Sequence, residues 1–165
     1  MKMLFSYNWQ VRDEWFEWCK QLSTEQLLQQ RVGGAGTILY TLFHIADVEY
    51  SWLRGVQGKP DLVVAYEDHQ SLQQVKELSD AWRVELSAFL EEWSGEQDDV
   101  AVRVPWSEEE HTKGEIIRHV LAHEIHHMGQ LSIWAREMGC KPISANVIGR
   151  GLAKKHREKS KNLEM

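Results

Sequence analysis

The sequence predicts an all-α protein: an up-down bundle of four main helices, with one short strand or hairpin before the last helix. Three observations lead to this fold class. Apolar residues recur every three or four positions through four long stretches. A Ser or Thr followed three positions later by Glu or Gln, a pattern that caps helix N-termini, opens three helical segments. Glycines or a proline follow the expected helix ends.

The helices are predicted in chain order, and one alternating segment separates the third long helix from the fourth. The first helix carries apolar residues on two faces, which indicates packing on more than one side. Residues 100–105 alternate apolar and polar side chains, which is typical of a short strand. A lone strand is unstable, so we expect a hairpin or an edge pairing there. The long helices are predicted at about residues 3–21, 37–56, 71–93 and 112–139, with a short helical turn at 23–28.

Composition and charge are those of an ordinary globular domain. We expect a single domain over residues 1–153 and a basic, frayed tail over residues 154–165. The net charge of −6 argues against a nucleic-acid binder, which is usually basic. No apolar run approaches the roughly 18 residues needed to span a membrane, and the first residues do not resemble a signal peptide. Two cysteines, Cys19 and Cys140, fit a reducing compartment. We therefore expect a cytoplasmic protein.

The last predicted helix contains four of the eight histidines within nine residues. His123 and His127 lie one turn apart in its inward-facing stripe, whereas His119 and His126 lie on a neighbouring face. Two inward imidazoles are costly to desolvate unless a partner accepts their nitrogens, and a divalent metal is one such partner. The stripe, at steps of three or four, is Ile116, Val120, His123, His127, Leu131, Trp134 and Met138.

One local pattern in this helix matches the His-Glu-x-x-His motif of zinc proteases, in which the Glu activates water. Here it would be formed by His123, Glu124 and His127. The continuation that should follow is missing, because Gln130 stands where a Gly is expected. Glu124 also lies about 100° around the helix from His123. We reject a protease function on these grounds.

A three-histidine metal site is the interpretation that we favour. His44 is the remaining histidine in the middle of an aromatic-rich helix, and it would join His123 and His127. Zinc and nickel both accept neutral imidazole nitrogen, and three protein ligands leave a coordination position open. Asp47 or Glu124 would orient a ligand histidine. The alternative is that these are core histidines bonded to carbonyls or carboxylates.

Two stretches resemble the DinB family of damage-inducible bacterial proteins, which is distinct from the DNA polymerase of the same name. They are residues 42–53 (LFHIADVEYSWL) and 112–130 (TKGEIIRHVLAHEIHHMGQ), and the resemblance extends from about residue 7 to residue 142. It implies a four-helix bundle, often dimeric, with a divalent metal held by His44, His123 and His127. His126 matches a non-ligand histidine of the family, and Met128 replaces a frequent Arg.

The resemblance also implies a range of functions. Relatives in the wider superfamily include thiol-dependent transferases, in which a metal binds a low-molecular-weight thiol such as bacillithiol. We therefore expect a metal-dependent thiol-S-transferase or hydrolase that acts on a small electrophile, in a homodimer. The alternative is a stress-response bundle that the metal stabilises without turnover. A third option is a core-histidine bundle that functions by dimerisation alone.

Overall fold

The fold is a helical bundle with one small hairpin, as predicted. The computed structural model describes residues 1–152 of the chain, so the predicted basic tail lies outside the described residues. No described helix is long and apolar enough to cross a membrane. The helices are α1 (Lys2–Cys19), α2 (Thr24–Leu28), α3 (Ile38–Val56), α4 (Leu72–Glu92) and α5 (Lys113–Glu137), and the strands are β1 (Ala101–Arg103) and β2 (Glu110–Thr112).

Side-chain caps begin four of these helices. Ser23 and Thr112 form complete capping boxes at the starts of α2 and α5, as predicted. Thr37 caps α3 by accepting from the backbone N–H of Tyr40. At α4 only half of the predicted box forms, because the Gln74 side chain bonds the Ser71 hydroxyl and the Asp68 carbonyl instead of the Ser71 backbone.

The four long helices surround two buried clusters, one toward each end of the bundle. Each of α1 and α3 packs against both α4 and α5. The first cluster joins the C-terminal halves of α1 and α5 to the N-terminal halves of α3 and α4. The second cluster joins the opposite halves. The helices therefore run up, down, down and up, so that α3 and α4 are parallel, whereas strict up-down alternation would make them antiparallel. Residues 57–71 return along the bundle between these two helices.

The hairpin joins the end of α4 to the start of α5. Val102 pairs with His111 and Arg103 with Glu110 in antiparallel register, so the predicted strand has a partner. Val104, just after β1, is buried against the C-terminal half of α3. The hairpin thus covers the outside of the bundle where α3 ends and α5 begins.

The chain after α5 lies across α1. Tyr7 donates a hydrogen bond to the carbonyl of Ala145 at 2.8 Å, and Trp18 donates to the carbonyl of Lys141 at 3.0 Å. Arg150 forms an ion pair with Glu14 at 2.7 Å. These contacts hold residues 141–150 against α1.

Candidate metal centre

Three histidine side chains from two antiparallel helices converge at one point. His44 projects from the N-terminal half of α3, and His123 and His127 project from successive turns of α5. The Nε2 atom of His123 lies 3.1 Å from the Nε2 atoms of both His44 and His127. All three ligand atoms lie within 4.8 Å of one another. The structure therefore brings together the three histidines that the sequence selected.

The two 3.1 Å separations at His123 fit a shared divalent cation better than a pair of hydrogen bonds. A ring nitrogen carries one hydrogen or one lone pair, so Nε2 of His123 cannot form a good hydrogen bond to both neighbours. Metal–nitrogen bonds of about 2.0–2.1 Å place ligand nitrogens about 3.3 Å apart in tetrahedral and about 2.9 Å apart in octahedral geometry. The observed 3.1 Å lies between those two values.

The environment keeps the three imidazoles neutral, which is the form that binds a metal. Burial, followed by the neighbouring rings of His127 and His44, lowers the pKa of His123 to about 3. Burial likewise lowers the pKa of His44, with a further contribution from His127. Burial lowers the pKa of His127 as well, although its hydrogen bond with Gln130 opposes the shift.

Gln130 holds His127 in the tautomer that presents a lone pair at Nε2. The Oε1 atom of Gln130 lies 2.6 Å from Nδ1 of His127, and an amide oxygen can only accept, so Nδ1 carries the hydrogen. The amide nitrogen of Gln130 lies 2.8 Å from Nε2 of His126 and donates to it. His126 therefore fixes the orientation of the amide that orients His127. Sequence reasoning missed this role, although the i, i+3 spacing of His127 and Gln130 was the available signal.

The prediction that Glu124 orients a ligand histidine is wrong. Both of its carboxylate oxygens accept hydrogen bonds from Arg12, at 2.7 Å from Nε and 2.6 Å from Nη2. Arg12 also donates to Glu49 at 2.7 Å and to Ser79 at 3.2 Å. Glu124 is only 1% exposed, and burial raises its pKa while Arg12 acts in the opposite direction. Since this carboxylate faces α1 and not the histidines, the structure also argues against the zinc-protease arrangement.

The buried ion cluster of Arg12, Glu49 and Glu124 was not predicted. It joins α1 to both helices that carry the converging histidines. Asn8, one turn before Arg12, donates to the carbonyl of Leu121 on α5. The available sequence signal was the pair Asn8 and Arg12, two polar residues at helical spacing between apolar stripes.

Asp47 lies one turn after His44 on α3 and is half-buried. No hydrogen bond within residues 1–152 joins it to His44, so the predicted orienting role of Asp47 has no support in the geometry. Burial, and then the nearby Asp61 carboxylate, raises the pKa of Asp47 to about 6.

The other histidines of the described part of the chain contribute no nitrogen to the convergence point. His119 is exposed on α5, and its ring contacts the rings of His123 and Trp52. His111 lies in β2 near Trp52, and His69 contacts Phe43. His156 falls outside the described residues.

Comparison with known proteins assigns the family. The model of the DinB family matches residues 1–157. The chain belongs to the DinB family. The uncharacterized protein YizA of Bacillus subtilis (strain 168) is 54% identical over 157 residues, which cover 94% of this chain and 99% of that protein.

Two solved DinB-like structures share the fold. One, from Bacillus cereus ATCC 10987, has a TM-score of 0.60 at 20% identity and covers 86% of this chain and 93% of its own. The other, YjoA of Bacillus subtilis, has a TM-score of 0.58 at 18% identity and covers 87% and 96%. At these identities the likeness concerns the fold alone.

One residue departs from the family pattern in an informative way. Met128, at the position where the sequence resemblance implies a frequent Arg, is 5% exposed and packs in the cluster with Leu131 and Trp134. In this DinB protein the position therefore contributes to the core, and its side chain cannot contact a ligand at the surface.

Proposed function

We propose that this DinB protein is a metal-dependent enzyme that transfers a small electrophilic group to a low-molecular-weight thiol such as bacillithiol. The observation that carries the proposal is the convergence of the Nε2 atoms of His44, His123 and His127, with His123 Nε2 at 3.1 Å from each of the others. Zinc and nickel are the ions that suit three neutral imidazoles. A divalent ion bound at this point would lower the pKa of a thiol that coordinates it.

The protein residues supply ligands and orientation. The three histidines would hold the ion, and Gln130 keeps His127 in the tautomer that can bind it. In the overall reaction the thiol sulfur forms a bond to the electrophilic atom, the leaving group departs with its bonding electrons, and the thiol proton passes to solvent. The buried carboxylates of Glu49 and Glu124 are bonded to Arg12, so neither of them is free to act as a general base toward the substrate.

The first test is elemental analysis of protein purified without a histidine tag. Near-stoichiometric zinc or nickel is expected in the wild type and in His69→Ala, whose ring contacts Phe43 and not the converging nitrogens. His44→Ala, His123→Ala and His127→Ala should each lose the metal. Wild-type protein without metal, and unable to bind added zinc or nickel, would exclude the proposed site.

The second test is turnover. Metal-loaded wild type should accelerate the reaction of bacillithiol or cysteine with a chlorodinitrobenzene, and His127→Ala should not. If the wild type binds metal, the histidine variants lose it, and no thiol-dependent turnover is found across a panel of electrophiles, the enzymatic proposal is refuted.

A metal-stabilised bundle without turnover is the second candidate, because the converging histidines link α3 to α5. A ligand that binds only the folded state stabilises it by about 2.7 kcal/mol at 100 times its Kd. On this hypothesis EDTA should lower the Tm of the wild type and leave that of His127→Ala unchanged. A Tm that is insensitive to EDTA in metal-loaded wild type would eliminate it.

A further inference from the structure

A group of aromatic rings from α3, α5 and the hairpin continues from the three converging histidines. Trp52 is at its centre, with ring centroids 5.3 Å from Trp106, 6.1 Å from His111 and 5.4 Å from His119. Each of the three rings is tilted by 64–87° to Trp52, so each meets it edge to face. We call these four residues the aromatic site.

The hairpin places Trp106 in this group although the side chain remains accessible. Trp106 is 41% exposed, which is unusual for so large an apolar side chain, whereas Val104 two residues earlier is 1% exposed. Val104 reaches α3 because Gly55 has no side chain: a Cβ there would lie 2.7 Å from Val104 Cγ1 and 3.5 Å from Trp106. The loop is thus anchored next to Trp52 while the Trp106 ring still faces water.

The aromatic site is continuous with the three converging histidines. The ring centroid of His119 lies 5.8 Å from that of His123, which in turn lies 4.5 Å from that of His127. His119 precedes His123 by four residues, or about 6 Å along α5. A ligand with one atom at the histidine cluster therefore needs only a short linker to place a ring against Trp52 and Trp106.

We propose that the aromatic site binds a flat, uncharged aryl group and that the natural substrate carries one. Edge and face contacts with several rings favour another aromatic ring over an alkyl chain of equal size. Aromatic cages also bind quaternary ammonium ions, but such cages depend on electron-rich faces, and two of these four rings are imidazoles. That the aryl group belongs to a substrate rests on the proposed function; that it binds here does not.

The binding claim is tested on metal-free protein, so that it does not depend on the histidine cluster. Protein labelled with 5-fluorotryptophan and treated with EDTA is titrated with benzyl alcohol and followed by ¹⁹F NMR. We expect saturable shifts of the Trp52 and Trp106 resonances, assigned with Trp52→Phe and Trp106→Phe, and no comparable shift of Trp134, which is buried in the other cluster. Absence of saturable shifts at both residues would overturn the proposal.

Variants test the contribution of the ring itself. Trp106→Ala should weaken benzyl alcohol binding by roughly 2- to 12-fold, the equivalent of one aromatic pair contact. Trp106→Phe should stay closer to the wild type. Ile133→Ala, which removes an exposed apolar side chain elsewhere on α5, should leave binding unchanged. Equal affinity in Trp106→Ala and wild type, or binding of tetramethylammonium in place of benzyl alcohol, would refute the aryl assignment.

A comparison of substrates separates this proposal from the proposed function. Metal-loaded wild type should prefer a benzyl halide to a propyl halide as electrophile, after correction for their uncatalysed rates, and Trp106→Ala should lose most of that preference. Aryl binding without any turnover would leave the aromatic site intact and remove the enzymatic function. Turnover with no preference for the benzyl halide, together with no aryl binding, would leave the enzymatic function intact and remove the aromatic site.

Discussion

Gln130 lies outside the converging nitrogens and fixes the ring orientation of one of the three histidines that carry them. Its amide is fixed at both ends, by His126 and by Nδ1 of His127. A hydrogen bond to the distal nitrogen of a ligand histidine sets the ring orientation and increases the basicity of the other nitrogen. The chemistry of His127 therefore depends on a side chain one turn along the same helix.

We predict that Gln130→Ala weakens zinc or nickel binding by about 10- to 100-fold, because His127 loses the acceptor that fixes its tautomer. Gln130→Glu keeps an acceptor oxygen and should bind metal more tightly than Gln130→Ala. Competition titration against a chromophoric chelator measures both. Identical affinities for wild type and Gln130→Ala would show that the hydrogen bond has no role in metal binding.

His123 predicts a pH dependence of stability in the metal-free protein. The unfolded chain protonates this residue near pH 6.5, whereas the folded chain does so only near pH 3. Between those values the unfolded state binds more protons, so the free energy of unfolding falls as the pH decreases. His123→Gln should flatten this dependence by less than the ~1.4 kcal/mol per pH unit of one full proton. Urea denaturation in EDTA from pH 7 to pH 4 measures it, and equal slopes would contradict the prediction.

Among the elements, α3 and the hairpin depend on close contact at Gly55. Ala is favoured over Gly inside a helix by about 1 kcal/mol. Replacement of a helical Gly with Ala should therefore stabilise the protein wherever the new methyl group meets no other atom. Gly55 is different because its missing Cβ leaves the space that Val104 fills. At Gly129 in α5 an added Cβ would meet no atom within 4 Å apart from the adjacent residues and the backbone of its own helix, so Gly129 provides the control.

We therefore expect Gly55→Ala and Gly129→Ala to change stability in opposite directions. Overpacking costs about 1–3 kcal/mol, which exceeds the helix-propensity gain at Gly55 and leaves that variant less stable. Gly129→Ala should gain about 0.5–1 kcal/mol. Urea denaturation midpoints measure both effects, and a stabilised Gly55→Ala would show that the hairpin can shift away from α3 without loss.

At the scale of the whole molecule, the buried cluster of Arg12, Glu49 and Glu124 connects α1 to α3 and α5, the two helices that carry the converging histidines. Removal of one partner from a buried ion cluster leaves an uncompensated charge, which typically costs 3–5 kcal/mol, whereas replacement of all partners can be neutral. The cluster is therefore a constraint on helix placement more than a source of net stability.

We predict that Arg12→Ala lowers the free energy of unfolding by about 3–5 kcal/mol, because two carboxylates remain buried without their cation. Lys20→Ala removes an ion pair whose partners are 59% and 72% exposed, and it should cost less than about 1 kcal/mol. Urea denaturation at pH 7 compares the two variants. Losses of equal size would mean that water reaches Glu49 and Glu124 when Arg12 is absent.

Addition of Glu49→Gln and Glu124→Gln to an Arg12→Met background tests whether the uncompensated charge of the two carboxylates causes the loss of stability. With all three charges removed, stability should recover toward the wild type relative to Arg12→Ala. No recovery would indicate that the hydrogen-bond geometry of the cluster, and not its charge, determines the loss.

The sequence by itself determined the helices, their caps, the hairpin and the histidines that face inward. Those features depend on residues close together in the chain, since capping acts over three positions and a helical stripe repeats every three or four. The stripe of α5 separated His123 and His127 from His119 and His126 for this reason. His44 was selected by its place in an apolar helix, and the structure brings its ring to the other two.

Only the tertiary structure decided the helix directions, the partner of Glu124 and the place of Trp106. Each depends on a contact between elements far apart in the chain. Arg12 and Glu124 are separated by 112 positions, and the sequence pattern of either helix is equally consistent with a carboxylate that faces a histidine. Trp106 stands beside Trp52 because the hairpin register and Gly55 together allow it. Pairing across a bundle is set by how whole helices pack, and local spacing carries no information about it.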